Sequence, residues 1–376
     1  MSGKMKAIRK PEAGPGLVVE DIPIPVPGPH DVLVQVEAAS ICGTDLHIWK
    51  WDEWSSHRIH PPLTIGHEFS GTVVAIGKLV EQVQIGDYVS AESHVTCGHC
   101  FQCRTGQAHM CPQTQILGVD RDGAFAEYVA VPESVIWQND RTKLPSDIAS
   151  LQEPFGNAVF ATLSHDLAGQ TVVVFGCGPI GLFSIGIARA SGAAAVIAVD
   201  PMEYRLNLAK QMGASEAFSP TSEGDIVTRI LEANEGYGLD VALEMSGAPS
   251  AITNAFQTVR NSGSITLFGI PSKPVEVDIA ENMIFKNLNV FALNGRRIWD
   301  TWYKTRWLLE SGVVDLRPLI TKEMELEQIE EAATLLSSGK ACKIVLRPNP
   351  GMEEQQPNSD RQKAEDPHAK AVFIHR

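Results

Sequence analysis

The chain changes its hydrophobic rhythm twice. Up to about residue 150 the apolar positions come in short runs, such as Val32–Val36, Gly71–Ile76 and Tyr88–Ala91, separated by Pro, Gly and Asp. Runs of that length with that punctuation predict an all-β segment. Four prolines between Glu20 and Asp31 suit edge strands and turns and exclude a helix there.

After Gln152 the pattern lengthens. Thr171-Val-Val-Val-Phe175 is continuously apolar, as a parallel strand buried on both faces requires. A glycine-rich turn follows, then a predicted helix from Ile180 to Ala190 closed by Gly192. A second buried strand, Val196–Val199, ends at Asp200. The next helix pairs Tyr204 with Leu208 and Leu208 with Met212 at i,i+4 spacing, and Gly213 ends it. Further strands are predicted at Val241–Met245 and Ile265–Phe268. This alternation predicts a doubly wound parallel sheet.

From about residue 300 the character is mixed again. Leu326, Ile329, Ala333 and Leu336 share one face of a helix, with Gly339 behind it. From Arg347 the composition is rich in Pro, Gln and charge, which predicts a disordered tail.

Composition narrows the possibilities. At 376 residues the chain is long enough for two domains. A hydrophobic fraction of 44% and a charged fraction of 20% are those of an ordinary globular enzyme. A net charge of -14 argues against a nucleic-acid partner, which needs a basic surface. No apolar run reaches the roughly 18 residues of a membrane span, and Met1–Lys10 lacks the apolar core of a signal peptide. The expected location is the cytoplasm. The expected partner is a small molecule.

Gly176-Cys177-Gly178-Pro179-Ile180-Gly181 matches G-x-G-x-x-G directly after a strand and before a helix. Gly176 permits the tight turn, Gly178 lets the backbone approach a pyrophosphate, and Gly181 packs helix on strand. The phosphates of a dinucleotide would rest on free N–H groups at the helix start. Asp200 ends the second strand, where a carboxylate accepts from ribose hydroxyls and repels a 2′-phosphate. NAD is therefore expected over NADP, although Arg205 nearby softens that exclusion.

Cys97, Cys100, Cys103 and Cys111 follow C-x2-C-x2-C-x7-C. Four thiolates fill a tetrahedral zinc shell and leave no position for substrate, which predicts a structural site. An iron–sulfur cluster uses similar ligands; the surrounding context favours zinc. Cys177 and Cys342 read as small packing residues. Cys42 and His67 lie on separate loops, as ligands of an incomplete zinc shell would, though a lone Cys and a lone His are more often structural.

The set Cys42-Gly-Thr-Asp-Leu-His47, Gly66-His-Glu68, the cysteine loop and the glycine motif resembles the zinc-containing medium-chain alcohol dehydrogenase family, from about Met5 to Pro348. The resemblance implies an α/β protein: a GroES-like β domain plus a Rossmann doubly wound parallel-sheet domain. The implied division is 1–155, first part of the catalytic domain; 156–299, NAD-binding; 300–347, return to the catalytic domain; and 348–376, tail.

It implies catalytic zinc on Cys42 and His67, with Glu68 and Glu153 as further ligands or close supports. Thr44 and His47 match a proton relay for an alcohol activated by zinc acting as Lewis acid. Ile180, Phe268, Gly269, Ile270, Leu293 and Asn294 are implied to line the NAD site. His94 stands near the implied cleft in a supporting role; His57, His60, His99 and His109 read as surface or loop residues.

Residues 44–54, 123–128, 154–159 and 294–303 resemble in particular the L-threonine 3-dehydrogenase branch. That branch implies an amino acid with a secondary alcohol as substrate, Arg296 holding its carboxylate in bidentate fashion, and a homotetramer. A polyol or butanediol dehydrogenase shares Cys42, His67 and Glu153 and is the rival reading. A non-enzymatic binding protein of the same fold is a remote one, opposed by the intact ligand and relay residues.

Overall fold

The computed structural model describes residues 3–220 and 225–350. The tail expected from residue 348 lies almost wholly outside the described residues.

The runs predicted as strands in the first segment form one antiparallel framework. Asp31–Ser40 is its hub: it pairs with Glu68–Ile76 on one side and with Tyr128–Pro132 at its start, and its end meets the closing strand Lys343–Arg347. Tyr88–Ala91 extends the sheet beyond Glu68–Ile76. Alternate positions of Asp31–Ser40 bury Val32, Val34 and Val36, which join Phe69, Phe125 and Leu346 in one core, as period-two burial dictates. Register then does chemical work. Ser40 stands opposite Glu68, and Val345 opposite Ser40, so residues far apart in sequence converge at one end of the hub.

The segment is not all-β, which corrects the expectation. A helix covers Gly43–Lys50 and another Glu53–Arg58. The first starts where the Asp45 carboxylate accepts from Cys42 N at 2.8 Å, a local cap that apolar periodicity does not reveal.

The second half contains a six-stranded parallel sheet, ordered Glu216–Phe218, Ala195–Val199, Thr171–Phe175, Leu239–Glu244, Val259–Leu267, Asn289–Ala292. In order of sequence this is 3-2-1-4-5-6, the doubly wound dinucleotide-binding order. Thr171–Phe175 pairs with Ala195–Val199 and with Leu239–Glu244, so the order reverses beside it. Ligands bind in the crevice at such a reversal, and Gly176 follows that strand directly. Helix Pro179–Ala190 packs Leu182, Phe183, Ile185 and Ile187 onto the sheet. Among the described residues, no helix is long and apolar enough to cross a membrane.

Candidate active site and zinc centres

The four-cysteine loop closes on itself. The sulfurs of Cys97, Cys100, Cys103 and Cys111 all lie within 4.8 Å of one another, with neighbouring pairs at 3.5, 3.8 and 4.0 Å. A tetrahedral shell with zinc–sulfur bonds of about 2.3 Å requires sulfur–sulfur separations of about 3.8 Å. Backbone N–H groups of Cys100, Cys103 and Gln113 aim at the sulfurs of Cys97, Cys100 and Cys111 at 3.4–3.5 Å. Burial opposes ionisation of Cys111, but N–H donors outweigh it and draw its thiol down to about 6. The donor set therefore fits a closed zinc site.

The second centre forms where the hub strand ends. Ligand atoms of Cys42, His67 and Glu68 lie within 4.8 Å of one another. Glu68 is held on one oxygen: Oε2 accepts from Ser40 Oγ and, at 2.5 Å, from Lys343 Nζ. Its Oε1 is buried without a partner, as is Nδ1 of His67. Asp45 backs His67, with Oδ1 3.9 Å from Nδ1. Burial pushes the Asp45 carboxyl up to about 6, against the pull of His67. Burial disfavours a charged imidazole at His67, yet Cys42 and Asp45 beside it hold its protonation well above the ordinary range. An orphaned carboxylate oxygen among donors that stabilise positive charge fits a cation such as zinc.

Thr44 and His47 stand on the next helix, Gly43–Lys50. Thr44 Oγ1 is 3.7 Å from Cys42 Sγ, and His47, one turn on, is exposed. The residues of the expected relay are thus strung from the metal-binding cluster to solvent.

Glu153, on the helix Gln152–Thr162, falls in a separate cluster with Glu92 and His94. Arg296, expected to meet the substrate carboxylate, reaches the same cluster. Its side chain is 1% exposed. Nε donates to Glu92 Oε2 at 2.8 Å, one terminal nitrogen to Glu92 Oε1, to Ser93 Oγ at 2.9 Å and to Glu153 Oε1 at 2.7 Å, and the other to Asn157 Oδ1 at 3.2 Å. A guanidinium has five N–H donors; four of them are taken up in this way, and one N–H on the nitrogen that meets Asn157 is left over. Arg296 is the hub of a buried ionic network. His94 Nδ1 lies 2.9 Å from Glu92 Oε1, and Trp302 Nε1 donates to Glu92 Oε2 at 2.8 Å. His109, in the cysteine loop, is half-buried with its ring edge-on to Phe160.

At the nucleotide turn, Gly176 has φ +92, and a Cβ there would meet Ser246 at 2.6 Å. A Cβ on Gly181 would strike Gly176 O at 1.9 Å. Both glycines are sterically required. At Gly178 a Cβ would meet nothing within 4 Å, leaving open space at the start of a twelve-residue helix whose first N–H groups have no side-chain cap. That is a phosphate cradle by shape and dipole. Asp200 is buried under it, accepting from Cys177 N at 2.8 Å and Met202 N at 2.9 Å, with Arg205 3.6 Å away. Leu293 is half-buried and Ile270 and Asn294 are exposed, all beyond the carboxyl ends of the later strands, as are half-buried Phe268 and Gly269.

The sequence reading missed Asp45, Glu92 and Lys343. Asp45 carries a signal, since an acid three residues after Cys42 can cap the following helix. Glu92 and Lys343 carry none, because their partners are remote in sequence.

This architecture is that of zinc-containing medium-chain dehydrogenases. Residues 28–141 match the alcohol dehydrogenase GroES-like domain, and residues 179–311 match the zinc-binding dehydrogenase family. The chain belongs to the zinc-containing medium-chain alcohol dehydrogenase family. Among its relatives, an L-threonine 3-dehydrogenase from Symbiobacterium thermophilum is 51% identical over 93% of this chain and 99% of its own length. The solved 2R,3R-butanediol dehydrogenase of Bacillus subtilis aligns with a TM-score of 0.83 at 32% identity, over 92% of this chain and 100% of its own. An alcohol dehydrogenase from Escherichia coli CFT073, solved with NADH, aligns with a TM-score of 0.83 at 29% identity, over 92% of this chain and 99% of its own.

Proposed function

We propose that the protein oxidises the 3-hydroxyl of L-threonine to 2-amino-3-oxobutanoate while NAD is reduced to NADH. The observation that carries this reading is the donor set of Cys42, His67 and Glu68, beside a helix bearing Thr44 and His47. The threonine assignment rests on the 51% relative. Butanediol or polyol oxidation is the rival, supported by the 32% neighbour. Arg296, expected to hold the threonine carboxylate, meets Glu92 and Glu153 here, and the substrate assay rather than this contact separates the two.

When bound, zinc polarises the substrate hydroxyl as a Lewis acid and NAD accepts the hydride. The chain's own residues supply the rest. Cys42, His67 and Glu68 would hold the catalytic metal, and Lys343 fixes Oε2 of Glu68 and leaves Oε1 without a partner. Glu153, held by Arg296, lies close enough to raise the protonation of His67 and serves as a fourth ligand or its close support. Thr44 Oγ1 receives the substrate proton and passes it toward His47, which exchanges with solvent. Gly176, Gly178, Ile180 and Gly181 seat the pyrophosphate. Asp200 turns its charge toward the adenosine ribose, and Phe268, Gly269, Ile270, Leu293 and Asn294 flank the nicotinamide half. Cys97, Cys100, Cys103 and Cys111 hold a structural zinc.

The catalytic unit in this reading is residues 1–155 with 300–347, around a nucleotide-binding unit of 156–299. A second copy of the chain meets the edge strand Asn289–Ala292, whose four residues are all exposed. Ile284 and Phe285 add exposed apolar surface nearby, and unpaired edges invite such pairing. A homotetramer built on that contact is the expected assembly. Seven free cysteines suit a reducing compartment, the cytoplasm.

Side-by-side measurement of NADH formation with L-threonine, sorbitol and 2,3-butanediol tests the assignment, with zinc content recorded on the same preparation. Threonine is expected to give the highest kcat/KM. A higher value for either diol or polyol overturns the substrate.

A further inference from the structure

The helix bearing the relay ends in an unusual way. Its C-cap, Trp51, has left-handed backbone angles, φ 57 and ψ 48, which cost a non-glycine residue free energy unless its surroundings hold it there. Here they do. Trp51 N donates to His47 O at 2.9 Å, its ring packs against the core of the first segment, and Lys10 Nζ sits 5.1 Å from the ring centroid.

The sharp turn brings the next residue, Asp52, back alongside His47. The two carboxylate oxygens of Asp52 then serve different groups. Oδ1 accepts from Ser55 N at 3.0 Å and so caps the helix Glu53–Arg58. Oδ2 lies in short contact with His47 Nδ1. The His47 side chain is otherwise 59% exposed, with Trp54 edge-on at 6.1 Å. Burial pushes the Asp52 carboxyl up, but the Ser55 N–H and His47 outweigh it and hold it below the usual range.

We propose that Asp52 is a positioning residue for proton release: it takes the Nδ1–H of His47 and leaves the Nε2 lone pair as the relay's acceptor. A carboxylate accepts only, so the neutral imidazole beside it must carry its proton on Nδ1. One proton then arrives on Nε2 for each hydride transferred, and the resulting imidazolium is stabilised by Asp52 until solvent removes the proton. The proposal rests on the reading of Thr44 and His47 as the proton path.

Asp52→Asn separates this role from capping. Asn is as good an N-cap as Asp, so the helix Glu53–Arg58 keeps its cap. With its oxygen on Ser55 N, the amide NH2 faces Nδ1 and donates to it, which forces the proton onto Nε2 and blocks acceptance there.

Two measurements on the zinc-loaded enzyme read this out. Long-range ¹⁵N–¹H correlation of histidine-labelled enzyme is expected to show His47 protonated on Nδ1 in the wild type and on Nε2 in Asp52→Asn. Single-turnover NADH formation from threonine is expected to slow roughly ten- to hundredfold, the low end of general-base contributions, with KM for threonine within about twofold and partial rescue by added imidazole. Asp52→Ser, which keeps a cap but cannot act as an ionised acceptor, is expected to fall between the two.

A wild-type rate with an unchanged tautomer in Asp52→Asn overturns the role of Asp52. His47→Gln tests the parent reading separately. An undiminished rate there overturns the relay itself. A slow, imidazole-rescued His47→Gln beside a normal Asp52→Asn overturns only the proposal about Asp52.

Discussion

Lys343 Nζ donates to Glu68 Oε2 at 2.5 Å, and neither side chain is more than 2% exposed. The closing strand thereby contributes the counter-charge to a carboxylate that stands opposite the hub strand. Lys343→Met leaves Glu68 buried and uncompensated. Such a loss costs about 3–5 kcal/mol, so the urea midpoint is expected to fall and zinc to be retained less well at the Cys42–His67 site. A variant with the wild-type midpoint and full zinc content would show that the pair is dispensable.

The Glu92–Arg296 pair sets a pH dependence of stability. Burial raises the Glu92 carboxyl, but Arg296, His94 and Trp302 outweigh it and hold it far below the usual range. Because the folded pKa is depressed, the contribution is present above the unfolded value of about 4.3 and is lost as pH falls below it toward the folded value. Chemical denaturation between pH 3 and 6, numbers that bracket about 4.3, is expected to show a steeper acid loss in wild type than in Glu92→Gln. The variant should be less stable at neutral pH. Parallel curves would contradict the depressed value.

Cys103→Ser removes one sulfur from the closed tetrahedral set. About one zinc per chain is expected to be lost, and the loop 97–111 should become open to limited proteolysis. Zinc at Cys42 and His67 remains, since the two donor sets share no residue. Metal analysis with and without a mild chelator checks both halves of this expectation.

Asp200 lies under the phosphate cradle with Arg205 3.6 Å away. Asp200→Ser removes the charge that repels a 2′-phosphate and frees the guanidinium to meet it. The NADP/NAD ratio of kcat/KM is expected to rise at least about tenfold, equivalent to ~1.4 kcal/mol. Some stability should be lost with the hydrogen bonds to Cys177 N and Met202 N. An unchanged ratio would remove Asp200 from cofactor selection.

Much of the parallel sheet was legible because its strands are buried on both faces and read as unbroken apolar runs: Thr171–Phe175 and Ala195–Val199 carry the pattern in themselves. The cysteine loop was legible for a similar reason, with all four donors inside fifteen consecutive positions. The helix Gly43–Lys50 was not. It is eight residues long, begins with glycine and buries Ile48 through contacts made far away in sequence.

Arg296 shows the limit more sharply. Its residue type suits a substrate carboxylate and a protein carboxylate equally well, and Glu92 lies 204 positions away. Nothing local distinguishes the two partners. Lys343, in a strand that reads Lys-Ile-Val-Leu-Arg, is indistinguishable by pattern from a solvated edge lysine until its neighbour Glu68 is known. Buried ionic pairs are tertiary facts, and their sequence signature is spread over both partners.

The pairing of Lys343–Arg347 with the hub strand also orders events in time. Cys42, His67, Glu68 and Glu153 are all made within the first half of the sequence, yet the cation that neutralises Glu68 comes only at position 343. A nascent chain can hold its metal donors and its nucleotide fold while the carboxylate among them lacks its partner. Arrival of the strand Lys343–Arg347 is therefore the event that completes the pocket, and a chain truncated just before that strand would carry every proposed ligand without a finished site to present them.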